Sequence, residues 1–281
     1  KYYASVRGGY EKAAKAADIK LADYKAGAAL TKGKAARLLY EAINAKIVRV
    51  NKIDGDNVWF DIVDDATVLS EMRKIDKVEE LADANNITAL TDGDKKADDA
   101  FSIDGKTYKT DSDRYNSLLG MNVTAWVKDD SLVYAMQDRT RTQTLTIDLK
   151  EVDGIDADCR KLTYYKDDAR KATVNISKIV RVIYNGKAYE EYTSDDFLSK
   201  QGKITLIDNN SDKVYDVVKI DSYKTMVTDT VYAEGQIFGK YTYKGALTDI
   251  DLEDNDYTIL KNNKKVKFGE LKEWDVLDVY E

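Results

Sequence analysis

The chain has 281 residues, of which 43% are hydrophobic and 34% are charged, and its 44 basic residues against 51 acidic ones give a net charge of −7. This is the composition of a globular chain long enough for two to four compact units, and without a basic stripe it does not predict a nucleic-acid partner. The chain has no histidine and a single cysteine, Cys159, which excludes an intrachain disulfide, a histidine metal site and any catalytic triad that uses histidine.

The first elements in chain order are two short helices. The segment YEKAAKAA, from Tyr10 to Ala17, favours helix by intrinsic propensity. The segment KGKAARLLYEAIN, from Lys32 to Asn44, does so again, and its period places four apolar residues on one face: Ala35, Leu38, Leu39 and Ala42. Thr31 is a suitable N-cap for this second helix, although Lys34 stands where a complete capping box would have Glu or Gln.

A family resemblance covers this helical stretch, from about Gly9 to Asn44. The GY pair, the alanine-rich helix, DYKAGAALT and KGKAARLLYEAIN together resemble an S-layer homology module of Gram-positive surface proteins. Modules of this family commonly anchor chains to secondary cell-wall polysaccharide, so the resemblance implies a bacterial cell-surface protein. Further along, GKITLIDNNSDKVYDVVKIDSY and the closing LKEWDVLDVYE resemble segments found after such modules in clostridial-type surface proteins.

The resemblance also points to one glycan-binding residue. The second helix of the family typically follows a Thr-Arg-Ala-Glu motif, where this chain has Thr31, Lys32, Gly33 and Lys34. A lysine can meet an anionic glycan as a point charge, but it lacks the bidentate geometry of arginine. Lys32 is therefore the candidate wall-glycan ligand that the resemblance implies, and a purely packing role for the module is the alternative.

After Ala45 the pattern changes from helix to strand. The segment KIVRVNKIDGDNVWFDIV alternates β-branched and polar residues around Asp54-Gly55, a pair typical of tight hairpins. The next segment, VLSEMRKIDKVEELADANNITAL, predicts a short helix followed by a strand. The polar segment TDGDKKADDA, residues 91–100, predicts an exposed loop.

A weak repeat of about 80 residues comes next. The segment IDGKTYKTDSDRYNSLLGMNVTAWVKDDSLVYAM, from Ile103, aligns with YNGKAYEEYTSDDFLSKQGKITLIDNNSDKVYDVV, from Tyr184, and more faintly with KNNKKVKFGELKEWDVLDVYE, from Lys261. Anchor residues in the three turns are 81 and 77 residues apart: Gly105, Gly186 and Asn263. Each copy predicts a strand, a turn, a strand, a short helix and a strand. The short helices are expected at 113–119, 195–200 and 269–274.

The second copy contains a candidate calcium loop in DNNSDKVYD. Oxygen ligands stand at positions 1, 3, 5, 7 and 9 of such a loop, with the fourth supplied by a backbone carbonyl: Asp208, Asn210, Asp212, Val214 and Asp216. Two lysines depart from the pattern, one in place of the glycine at position 6 and one in place of the closing glutamate at position 12. A solvated hairpin turn is the alternative, because Asn, Asp and Ser favour turns in any case.

The remaining acidic groups are weaker candidates, the acidic run for a cation site and the acid pairs for catalysis. The segment TDIDLEDNDY is a dense acidic run: Asp249, Asp251, Glu253, Asp254 and Asp256. Adjacent acid pairs also occur at three places: Asp64-Asp65, Asp129-Asp130 and Asp195-Asp196. A glycosidase needs two carboxylates that face each other across a cleft, and adjacency in sequence does not provide that arrangement.

These patterns predict an α+β fold that is largely β, with a helical module at 1–46 and β-rich domains at 47–140, 141–228 and 229–281.

Many short strands and no proline leave strand edges that another copy of the chain can pair with. We expect a non-enzymatic, extracellular structural protein of the bacterial envelope that self-assembles into a lattice or filament, with calcium as its candidate cation. A glycan-binding surface module or adhesin and a carboxylate-based glycan hydrolase are the alternatives. No apolar run approaches the roughly 18 residues of a transmembrane helix, so no membrane span is expected.

Overall fold

The computed structural model describes residues 9–20, 24, 28–55, 57–90, 95–111, 113–167, 170–232, 235–242, 247–252, 257–261 and 264–280, and of Asp64 and Asp65 the backbone alone. The fold is α+β and mostly β, as predicted. Both N-terminal helices are present, as α1 (Gly9–Ala16) and α2 (Lys32–Asn44). Thr31 caps α2, because its hydroxyl oxygen accepts a hydrogen bond from the Lys34 N–H at 3.2 Å.

A long β-hairpin, here called the ribbon, follows α2. Strand β1 (Lys46–Asp54) pairs antiparallel with β2 (Asn57–Thr67), and Gly55 at the predicted turn has φ of 58°. This left-handed conformation costs glycine little, so the Asp-Gly pair fixes the position of the turn. Strand β2 then runs into the predicted short helix, α3 (Val68–Arg73).

Five strands after α3 form a closed barrel. They are β3 (Asp76–Ala84), β4 (Ala100–Ile103), β5 (Lys106–Lys109), β6 (Asn122–Lys128) and β7 (Ser131–Gln137). The order around the barrel is β3-β4-β5-β7-β6, with β6 closing on β3 and β5 parallel to β7. This connectivity is that of an OB-type Greek-key barrel, and connectivity alone assigns no ligand. Residues 91–94 of the predicted loop lie outside the described residues.

A seven-stranded sheet follows the barrel. Its strands are β8 (Gln143–Asp148), β9 (Val152–Ile155), β10 (Lys161–Asp167), β11 (Arg170–Tyr184), β12 (Lys187–Ala188), β13 (Gly202–Asp208) and β14 (Val214–Ser222). The order is β8-β13-β14-β11-β10-β9, with β12 paired to β11. This sheet carries the largest hydrophobic core of the described residues, in which Leu162, Phe197 and Ile204 are fully buried. Cys159 lies in the same core, where burial raises the pKa of its thiol.

The last strands form a smaller, thinner unit. They are β15 (Lys224–Val231), β16 (Gln236–Gly239), β17 (Asp249–Asp251), β18 (Ile259–Lys261), β19 (Lys264–Val266) and β20 (Val276–Val279). Strands β17-β16-β15-β20 form one sheet, and β18 and β19 form a separate hairpin. No described helix of the chain is long and apolar enough to cross a membrane.

One arrangement of strands occurs three times along the chain. A leading strand is followed, directly or after two further strands, by a hairpin, a 3-10 helix and a closing strand that pairs antiparallel with the leading strand. The leading and closing strands are β3 and β6, β8 and β13, and β15 and β20. Strands β9 and β10 precede the hairpin in the second case, and β16 and β17 precede it in the third. The hairpins are β4-β5, β11-β12 and β18-β19. The 3-10 helices are Asp113–Leu118, Ser194–Leu198 and Phe268–Glu270. We call these three arrangements the first, second and third units.

The first two units share one further feature. A return strand, β7 or β14, pairs antiparallel with the closing strand and parallel to a hairpin strand, β5 or β11. The aligned sequence segments begin at the hairpin, so they leave out the leading strand of each unit. The third anchor, Asn263, lies outside the described residues.

Candidate functional site

The residues from Gly9 to Arg73, here called the N-terminal segment, have almost no core. Among those that the structure describes, only Ala45 and Ala66 are buried. Ten large apolar side chains of the same stretch are exposed: Tyr10, Leu30, Leu39, Tyr40, Ile43, Val50, Ile53, Trp59, Ile62 and Met72. Burial of apolar surface is the main favourable term in folding and in protein association. This surface is therefore the first candidate for contact with another polypeptide.

Helix α2 is attached to the first unit by an aromatic contact. The ring of Tyr40 meets that of Trp126 edge to face, with the centroids 6.0 Å apart, and Trp126 packs on Tyr134 at the same centroid distance. The indole N–H of Trp126 donates a hydrogen bond to Asn44 Oδ1 at 3.1 Å. Leu39, which the helical period places on the apolar face, is 66% exposed. The helix thus contacts the barrel along Tyr40 and Asn44 and leaves Leu39 in solvent.

One face of the ribbon carries three apolar cross-strand pairs. Residues that pair across an antiparallel ladder lie on the same face, and three such pairs are Val48 with Ile62, Val50 with Phe60, and Ile53 with Val58. The register shifts between Val50 and Lys52, and the extra residue of this bulge turns Ile53 to the side of Val48 and Val50. These six residues are here called the apolar face. Ile53 is 52% exposed and Ile62 is 49% exposed.

The opposite face of the ribbon is mixed. Arg49 lies opposite Asp61, and the Lys52 ammonium lies 5.2 Å from the ring centroid of Trp59. The Asn51 side-chain amide donates to Asp61 Oδ1 at 2.9 Å. A two-stranded sheet is marginal in water unless one face packs on a second layer. The ribbon therefore has one face suited to solvent and one suited to a partner.

Lys32, the candidate glycan ligand, is the first residue of α2 and is exposed. The first turn of this 13-residue helix contains no acid, so the helix dipole and the lysine both contribute positive potential there. Gly33 follows with open space around its Cα. This environment tolerates an anionic group, and glycan binding by Lys32 stays a prediction.

The predicted calcium ligands follow one another along the turn between β13 and β14 and the strand ends beside it. Asp208 is 1% exposed, and its carboxylate accepts hydrogen bonds from the backbone N–H groups of Asn210, Ser211 and Lys213 at 3.1, 2.7 and 2.9 Å. Ser211 and Lys213 have φ of 63° and 67°, a conformation that side-chain bonds of this type support. Asp208 therefore closes the turn by binding its backbone.

The other ligands of the predicted loop are bonded in the same way. Asn210 Oδ1 accepts from the Asp212 N–H at 2.9 Å, and Asp212 Oδ1 accepts from the Val214 N–H at 2.8 Å. Burial raises the pKa of Asp216, and its neighbours Asp212 and Asp208 add to that effect. Within the described ranges, no three acidic, histidine or cysteine side chains converge as a metal site requires. The geometry is that of successive Asx turns, and calcium binding stays a prediction.

Asn209, between these ligands, is a residue that sequence reasoning missed. Its Oδ1 accepts from the Asn122 N–H at 3.1 Å and from the Thr142 hydroxyl at 2.8 Å, and its Nδ2 donates to the Gly120 carbonyl at 2.9 Å. Gly120 has φ of 80°, and a Cβ there would lie 2.9 Å from Val217 Cγ1. One asparagine thus cross-links the first and second units where their backbones come close. An Asn among turn-forming residues gives no sequence signal of such a role.

An apolar cluster and a cleft lie at the same junction. The cluster contains side chains of both units: Leu90, Leu119, Ile183, Ile207 and Val217. The cleft has a volume of about 280 Å³, and Lys219 on its wall donates a hydrogen bond from Nζ to the Ser117 carbonyl at 2.7 Å. Burial lowers the pKa of the Lys219 amine to about 8, although nearby Asp221 opposes this. A lowered lysine pKa in a cleft is a common sign of a functional site, and here the amine is engaged in joining the two units.

The paired acids have local structural roles. Asp129 and Asp130 form the left-handed turn between β6 and β7, and Asp130 pairs with Lys106 at 3.0 Å. Asp196 accepts hydrogen bonds from the N–H and hydroxyl of Thr193, the residue that precedes the second 3-10 helix. In the acidic run, Asp249 and Asp251 are exposed on β17. Other predicted acids lie outside the described residues: Glu253, Asp254 and Asp256, with the side chains of Asp64 and Asp65.

Comparisons of the chain with protein-family models, with curated proteins and with solved structures give no match. The S-layer homology resemblance therefore depends on the residues from Gly9 to Asn44 and on the later segments quoted with it.

Proposed function

We propose that this protein is a structural subunit of a bacterial cell envelope that assembles by contacts between copies of itself. The observation that carries the proposal is the N-terminal segment, which exposes ten large apolar side chains and buries only two alanines among its described residues. A segment of that kind gains stability when a partner covers it, because apolar surface is then removed from water. Self-assembly would cover this exposed apolar surface with a second copy of the chain.

The tandem arrangement of the three units also supports the assembly proposal. Three units that share a leading strand, a hairpin, a 3-10 helix and a closing strand follow each other, and the first two are joined by the apolar cluster and by the bonds of Asn209. In repeat proteins, units that pack on their neighbours create extended binding surfaces. The S-layer homology resemblance supports an extracellular location at the cell surface, and the unpaired strand edges support a lattice or a filament.

The assembly proposal is tested by measuring the size of the purified chain over a concentration series. Sedimentation velocity should show large species that grow with protein concentration, and negative-stain microscopy should show ordered polymers. The apolar surface predicts that assembly weakens on cooling, because hydrophobic association is entropy-driven near room temperature. A chain that stays monomeric at every concentration and temperature would refute the proposal.

Binding of a wall glycan is the second candidate function, and the exposed position of Lys32 at the start of α2 favours it. The chain should then sediment with purified cell wall, and Lys32→Ala should reduce the bound fraction. Lys150→Ala is the matched control, because Lys150 is an exposed lysine of the second unit, with a side chain 66% exposed. Equal binding by the two variants would exclude Lys32 as a ligand.

A carboxylate-based glycan hydrolase is the remaining alternative. Asp130 and Asp196 are engaged in a turn and a helix cap, so neither pair supplies two free acids across a cleft. Our proposal assigns adhesion and packing to this chain, and release of reducing sugar from wall polysaccharide by the purified protein would contradict it.

A further inference from the structure

Within the described part of the chain, both outer edges of the ribbon lack a neighbouring strand. Strands β1 and β2 form a sheet of their own, and among the described residues no other strand hydrogen-bonds to either of them. The outer edge of a strand presents unpaired N–H and C=O groups to any second strand. At 9 and 11 residues these strands are long for edges, and neither contains the proline that would block pairing.

The two strands carry charges of opposite sign. Strand β1 has three bases and one acid, for a net charge of +2: Lys46, Arg49, Lys52 and Asp54. Strand β2 has three acids and no base, for a net charge of −3: Asp61, Asp64 and Asp65. Pairing β1 with β1, or β2 with β2, would place like charges in adjacent strands, which is unfavourable. Pairing β1 of one copy with β2 of another places opposite charges there.

We propose that the ribbon is the polymerisation contact, in which β1 of one copy adds antiparallel to β2 of the next copy. This inference rests on the proposed self-assembly and names the surface that performs it. Because β1 and β2 of one ribbon are antiparallel, ribbons of the same orientation join into one continuous antiparallel sheet. The contact joins two different edges, so it repeats head to tail, and it produces a filament or one row of a lattice when the rotation between copies does not close a ring.

The apolar face supplies the packing at this contact. In ribbons of the same orientation, the apolar residues of β2 come to lie beside those of β1 in the next copy, as they do within one ribbon. Apolar cross-strand pairs stabilise a sheet, and the ladder of backbone hydrogen bonds supplies affinity as in other cases of strand addition. The apolar faces of successive copies also form one continuous surface on one side of the sheet.

Charge reversal in the full chain tests this contact. The β1 variant, Arg49→Glu with Lys52→Glu, changes the net charge of β1 to −2, and the β2 variant, Asp61→Lys with Asp64→Lys, changes that of β2 to +1. Each variant alone then has two edges of like sign, so its critical concentration for assembly should rise by about tenfold or more. An equimolar mixture should assemble again, because each edge of one variant is complementary to an edge of the other.

Two further variants show whether a change in assembly comes from the ribbon contact, from misfolding or from the altered net charge of the chain. All four substitutions in one chain restore opposite charge both within and between ribbons, and this chain should assemble alone. The control, Lys150→Glu with Arg170→Glu, removes two exposed bases of the second unit and should assemble like the unmodified chain. Far-UV circular dichroism identifies any variant that fails to fold.

The outcomes distinguish the contact from the function. If the unmodified chain assembles and both single-strand variants assemble equally well, the ribbon contact is refuted and the assembly proposal stands. If the variants are folded and monomeric but the mixture does not assemble, the complementary pairing is refuted. If the unmodified chain never assembles, both the contact and the proposed function are refuted.

Discussion

Replacement of Asn209 by alanine is the sharpest test of how the units are joined. The substitution removes three side-chain hydrogen bonds, two accepted from Asn122 and Thr142 and one donated to Gly120. Each is worth about 1 kcal/mol net, and a buried group left without its partner adds to the cost. Thr142 is 2% exposed and its hydroxyl keeps its bonds to the Asn122 backbone, so the loss of three bonds should lower the free energy of unfolding by about 2 to 4 kcal/mol.

The neighbouring asparagine provides the control for this experiment. Asn210 is exposed, and its side chain accepts one hydrogen bond within its own turn, from Asp212. Asn210→Ala should therefore cost about 1 kcal/mol or less. Scanning calorimetry should show that Asn209→Ala lowers the melting temperature and separates the melting of the first and second units, since it weakens the bonds between them. Equal melting curves for the two variants would refute the role assigned to Asn209.

Two further predictions concern the same part of the molecule. The pKa of Lys219 falls from 10.5 to about 8 on folding, so between those pH values the unfolded chain holds a proton that the folded chain releases. The free energy of unfolding should rise with pH across that window by up to about 3 kcal/mol relative to Lys219→Met. A difference between the two proteins that stays constant from pH 7 to pH 10 would contradict the lowered pKa. If the turn from Asp208 to Asp216 binds calcium, millimolar Ca²⁺ should raise the melting temperature. At a hundredfold excess of Ca²⁺ over Kd, the free energy of unfolding should rise by about 2.7 kcal/mol. Asp212→Asn should abolish this stabilisation. An unchanged melting temperature would exclude the calcium loop.

The sequence by itself determined the local elements of this protein. The two helices, the hairpin at Asp54-Gly55 and the short helix after β2 all appear where propensity and turn chemistry place them. The turns at Asp104-Gly105 and Asn185-Gly186 are also fixed locally, because their residues adopt positive φ that glycine, asparagine and aspartate tolerate. The helical bias within each repeat likewise appears as a 3-10 helix in all three units.

Tertiary structure decided the contacts that carry the functional argument. The pairing of β3 with β6 joins residues far apart in the sequence, and no local pattern states which strands will meet. The bulge beside Asn51 sets which residues share the apolar face, and burial at the junction gives Lys219 its lowered pKa and Asn209 its bonds. Propensity and turn conformation depend on a few adjacent residues. Strand partners, solvent exposure and pKa depend on groups that only the folded chain brings together.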